Sequence, residues 1–124
     1  MTEVENEPNC IAYAYWRAGI QDKDQYVEPP LLNELDPRLT VVTPKHAVII
    51  GIASPLEPAL LTEPDILVYH MAYIDPENPT LVWERRGIGL KVSEQPIRLD
   101  DFLKREIIFD VVFPVYLGIR DDLK

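Results

Sequence analysis

Twelve prolines divide this chain of 124 residues into short apolar runs, and that spacing limits its fold more than any other feature. Proline has no backbone N–H and a fixed φ, so it ends helices and is confined to the ends and edges of sheets. Most of the twelve, at positions 29, 30, 37, 44, 55, 58, 64, 76, 79, 96 and 114, lie between apolar stretches and act as punctuation. Every element between them must be short. The chain has no repeat at a solenoid period and no Gly/Ser linker. It reads as a single domain over residues 1–124, with 1–8 an acidic N-terminal tail. A hydrophobic share of 47% with 27% charged residues is enough to build a core and excludes a disordered or coiled-coil chain.

Asn9 is placed to cap a helix over Cys10–Ala18, and Gly19 marks its end. That segment is apolar or aromatic on nearly every side, which predicts a buried helix. Pro30–Leu35 predicts a second short helix stopped by Pro37. From Pro44 onward the pattern changes. His46–Ala53 is a β-branched run bounded by prolines, and Ile66–Ile74 and Thr80–Arg86 predict two more strands joined by the turn chemistry of Asp75–Pro79. Leu99–Arg105 has acids early and bases late, the polarity a helix dipole favours. Ile107–Phe113 and Val115–Ile119 read as one bent strand or two, broken at Pro114. The order predicts an α+β fold, a buried N-terminal helix carrying Cys10 packed on an antiparallel sheet.

Twenty-one acidic residues against twelve basic ones give a net charge of −9, which opposes nucleic acid and anionic membrane surfaces. The excess is concentrated in residues 1–36, where eight acids meet two bases. No secretory leader or membrane-spanning run is visible, so a cytoplasmic location is expected. One cysteine cannot form an intramolecular disulfide, and with two histidines it lacks metal-ligand spacing, so neither a metal nor another cofactor is expected.

The lone thiol is either core packing or chemistry. At the first position of a capped helix, unpaired N–H groups and the dipole favour a thiolate, which makes Cys10 a candidate nucleophile. A nucleophile needs a base. His70 lies within the strand Ile66–Ile74, where alternation puts it on one face with Val68, Ala72 and Ile74. If the hairpin sets Ile74 opposite Thr80, His70 faces Glu84, and a two-residue slide leaves the pair as diagonal neighbours. Glu84 then orients the imidazole, as the third group of a nucleophile–base–orienter site does. His46, with no acid nearby, reads as exposed or structural. Arg85-Arg86, beside Gly87 and Gly89, reads as a solvated strand end, with an anionic substrate group as the competing reading.

Asn9-Cys-Ile-Ala-Tyr-Ala-Tyr-Trp-Arg-Ala-Gly-Ile20 resembles the nucleophile helix of NlpC-type, papain-like cysteine peptidases. Pro44–Gly51 is similar to that family's next strand, Tyr69–Ile74 to the strand bearing its histidine, and Thr80–Glu84 to the strand bearing its third polar residue. The resemblance covers about residues 9–119 in order and spacing. It implies a papain-like fold and catalytic roles for Cys10 as nucleophile, His70 as base and Glu84 as orienter. It also implies hydrolysis of a peptide or amide substrate, including peptidoglycan-type peptides, through a thioester. The alternative is an inactive binding or adaptor protein on the same scaffold, docking its acidic N-terminal third onto a basic protein partner.

Overall fold

The computed structural model describes residues 7–55, 65–87, 89–108 and 111–120. Two helices are present, α1 over Cys10–Arg17 and α2 over Leu99–Glu106. The strands are β1 (Leu39–Val41), β2 (Ile49–Pro55), β3 (Ile66–Ile74), β4 (Leu81–Trp83), β5 (Ile97–Arg98) and β6 (Phe113–Ile119). They form one sheet in the order β1-β6-β2-β3-β4-β5, with every neighbouring pair antiparallel. The fold is α+β, with the N-terminal helix packed on the sheet. Among the described residues, no helix is long and apolar enough to cross a membrane.

Both faces of the sheet are covered, which explains why its central strands are almost continuously apolar. On one face Ile49, Ala53, Met71 and Leu117 pack with Cys10, Ile11, Ala14 and Tyr15 of α1. On the other, Ile50, Ile52, Ala72 and Val82 pack with Phe102 of α2. The adjacent Ile49 and Ile50 thus serve opposite cores, and each burial contributes about 1.5–3 kcal/mol. At Gly51 an added Cβ would stand 2.8 Å from Val68 Cγ1, so this point of β2 admits a hydrogen and nothing larger.

One irregularity positions the site. The pairing of β2 with β3 runs in step from Ile49↔Tyr73 to Ile52↔His70, then resumes at Ala53↔Val68. Tyr69 is an extra residue, a β-bulge. It reverses the alternation, so Val68 joins the α1-side core while Tyr69 and Ala72 pack against the α2-side core. The expectation that Val68 and His70 share a face is corrected by this insertion.

Other boundaries also differ from the sequence expectation. Ala18 caps α1 rather than belonging to it, and Gly19 follows at φ 79°, a left-handed conformation that glycine takes without strain. Burial of α1 runs from Cys10 to Tyr15 but stops at Trp16, which is exposed and rests beside Tyr13. Pro30–Leu35 forms only a 3-10 turn at Leu32–Glu34, because Leu31 is drawn into a bridge with Leu67. The strand expected from His46 starts at Ile49, since Pro44–His46 closes its own 3-10 turn. β4 is three residues long where seven were expected, with Arg85 continuing as an isolated bridge to Val92. Ile107–Phe113 is strand only at Phe113 among the described residues; 109 and 110 lie outside them, as do residues 1–6 of the acidic tail. β6 passes through Pro114 unbroken, because β1 pairs only with Leu117–Ile119 and leaves that side of the strand open at the proline.

Candidate active site

α1 begins at Cys10 because Asn9 stops it there. The Asn9 side-chain oxygen accepts the Ala12 N–H at 3.0 Å, and its backbone carbonyl accepts that of Tyr13. The same oxygen accepts the Val27 N–H at 3.3 Å while the amide donates to the Val27 carbonyl at 2.7 Å. Asn9 therefore caps the helix and fastens the segment after it. The N–H groups of Cys10 and Ile11, in the first turn, have no intrahelical partner.

α1 packs on β3 at the bulge, and the Cys10 thiol donates to the Tyr69 carbonyl at 3.8 Å. Cys10 is nearly buried, at 7% exposure, and His70 is equally so. The His70 ring stacks on Phe102 of α2 at 5.7 Å between centroids and 21° between planes. Its Nε2 lies 3.7 Å from Glu84 Oε2 and has no hydrogen bond among the described residues. Burial works against a charged imidazole here. Interaction with Cys10 and Glu84, followed by the charge on Glu106, outweighs it and raises His70 from 6.5 to about 9.

Glu84 is almost wholly buried, and its main partner was not foreseen from sequence. Arg105 Nη2 sits 2.5 and 2.6 Å from its two carboxylate oxygens, while Arg105 Nε donates to Glu106 at 2.6 Å. Burial pushes the Glu84 carboxyl up, but His70 and Arg105 hold it below its ordinary value. The hairpin explains the longer His70–Glu84 distance. Tyr73 pairs with Trp83 and Ile74 with Val82, two residues displaced from the expected register. His70 and Glu84 are thus diagonal rather than opposite. The loop is longer than expected because Asp75 Oδ1 accepts the N–H groups of Glu77 and Asn78, which delays closure to Asp75–Leu81.

Cys10 and His70 line a single cleft of about 340 Å³, together with Tyr26, Arg86, Arg105 and Glu106. The two arginines after Glu84 have different fates. Arg85 is buried, with its guanidinium paired bidentately to Asp24 at 2.7 and 2.8 Å and donating to the Leu90 carbonyl. This corrects the reading of Arg85 as a solvated strand end. Arg86 is exposed on the cleft. His46 is exposed in its turn and lines a separate groove with Thr40 and Gly118. Among the described residues, no group of three or more His, Cys, Asp or Glu side chains is placed to hold a metal ion.

Sequence reasoning named Cys10, His70 and Glu84, and the structure brings all three to one location. It missed Phe102 and Arg105, whose helical spacing puts them on one face of α2, with acid-early, base-late charges read as dipole complement alone. No known protein family, curated protein or solved structure matches the chain.

Proposed function

We propose that the chain is a cysteine-dependent hydrolase of amide or ester bonds, a divergent papain-like domain related to the NlpC type. The observation that carries this reading is that Cys10, at the N-terminus of α1, and His70, with its Nε2 turned toward Glu84, line one cleft. The order in the chain, helix-borne thiol, then imidazole strand, then carboxylate, also matches the resemblance carried by Asn9–Ile20 and Tyr69–Glu84.

In this reaction His70 already holds the proton that Cys10 has given up, and the thiolate sulfur attacks the substrate carbonyl carbon. The developing oxyanion accepts the free N–H of Cys10 at the helix N-terminus. The C–N or C–O bond then breaks, His70 returns the proton to the leaving group, and a thioester remains. Water gives a proton to His70 as it attacks that thioester, releasing the acid and restoring the thiolate. Glu84 keeps the imidazolium stable between these transfers, and Phe102 fixes the plane of the ring.

The test is alkylation of the intact protein with iodoacetamide, compared with His70→Ala. Rapid labelling of Cys10 that slows at least tenfold in His70→Ala is the expected result, with turnover of amide or ester reporters abolished in Cys10→Ala. Slow labelling that is the same in both proteins overturns the hydrolase reading and leaves a binding protein on this scaffold.

A further inference from the structure

The arginines of this acidic chain are mostly neutralised. Arg38 pairs with Asp36, Arg85 with Asp24, and Arg105 with Glu84 and Glu106. Arg98 stands 3.9 Å from Asp100, and Arg17 lies over the rings of Tyr13, Tyr73 and Trp83. Arg86 differs from these. It has no ion pair, ring contact or hydrogen bond among the described residues, and it stands on the cleft that holds Cys10 and His70.

Its placement follows from the backbone. Alternate side chains of an extended segment point to the same side. Glu84 is thus set at the base of the site and Arg86 two residues on at its rim, while Arg85 between them turns toward Asp24 and the Tyr13 ring. Arg85 is itself bridged to Val92, the Ser93 N–H donates to the Glu84 carbonyl, and the Gly87 carbonyl accepts the Leu90 N–H, so the backbone is held on both sides of Arg86. The other cleft charges are spent: Glu106 on Arg105, and Arg105 on two carboxylates. The backbone beneath Arg86 is held, and its guanidinium has no partner among the described residues. Its planar fork of donors suits a carboxylate.

We propose that Arg86 is an anion subsite beside Cys10, and that the substrate carries a carboxylate close to the bond the thiol attacks. The proposal deepens the hydrolase reading and rests on it for the identity of the reacting bond. Two sources share this chemistry, a free peptide C-terminus and an acidic side chain. The net charge of −9 repels such groups at long range, so recognition depends on this local cation and weakens as salt screens it.

The experiment uses the full chain and follows the backbone amides of Gly87 and Tyr69 by NMR during titration. Acetyl-alanine against acetyl-alaninamide tests a terminal carboxylate; acetyl-glutamic acid amide against acetyl-glutamine amide tests a side-chain one. At least one carboxylate probe is expected to bind about tenfold more tightly than its neutral counterpart, with that preference lost in Arg86→Gln. Arg86 is exposed, so the variant keeps the wild-type amide spectrum away from the cleft. Equal response to charged and neutral probes, or an undiminished preference in Arg86→Gln, overturns the proposal. Iodoacetamide labelling of the same samples separates the two readings. Carboxylate preference with an inert Cys10 retains the subsite and removes the hydrolase, whereas a reactive Cys10 without carboxylate preference does the reverse.

Discussion

Replacing Glu84 with glutamine preserves shape and removes the one carboxylate turned toward His70 Nε2. Two unit charges 3.7 Å apart attract by about 4 kcal/mol at an effective dielectric constant near 20. Arg105 stands much closer to the same carboxylate and draws on its charge, so a third to a half of that attraction, about 1.5–2 kcal/mol, is assigned to the imidazolium. In Glu84→Gln the His70 midpoint should therefore fall from about 9 by roughly one to one and a half pH units. Burial and the uncompensated charge of Arg105 act in the same direction. The assay is an NMR pH titration of the imidazole protons. The chain has two histidines, and His46 lies exposed in a separate groove. A His70 midpoint that stays put or rises, in a variant whose amide spectrum remains native, would refute the view that Glu84 stabilises the imidazolium across that gap.

His70 also links folding to pH. Its folded value of about 9 lies above the unfolded 6.5, so the native state binds the extra proton. The stabilisation is complete below about pH 6.5 and is lost as pH rises through about 9; urea midpoints should fall over that window, and the fall should be absent in His70→Asn. Asn9→Ala removes a helix cap and both bonds to Val27 from a buried position, at a cost of about 2–3 kcal/mol by urea unfolding. A loss below about 0.5 kcal/mol would mean that Asn9 fastens neither element. Gly51→Ala drives a methyl against the stiff, fully buried Val68 and should cost about 1–3 kcal/mol. Val68→Ala in the same chain should recover part of that penalty, and strictly additive losses would place the strain elsewhere.

Elements whose chemistry is local were legible in the sequence. β3 runs from Ile66 to Ile74 as read, and α1 starts at its Asn9 cap. α2 extends one residue past the expected Arg105. The edge strands β1 and β5, three and two residues long, carry no alternation to read and exist because a neighbour offers a ladder. The hairpin register was off by two because the Asp75 side chain organises the turn, a choice among several loops that one sequence allows. Arg105 was hidden for another reason. Its partner lies 21 residues earlier, and only the packing of α2 below β4 brings them together. Cys10 and His70 emerged from scarcity, one thiol and two imidazoles in the whole chain. Their shared cleft required the fold.

The extra residue at Tyr69 makes β3 two half-strands of opposite phase in one ribbon. The even-numbered positions change core across the join, Ile66 and Val68 on the α1 side and Ala72 and Ile74 on the other, and the residue at the join supplies the carbonyl that receives the Cys10 thiol. Length is therefore a more fragile property of this strand than composition. Conservative exchanges on either side of the join are tolerable repacking, but losing the single residue at 69 would restore a regular ladder and take away the extra carbonyl that receives the Cys10 thiol. The cleft could not be transplanted to another sheet by copying its polar side chains. The discontinuity has to travel with them.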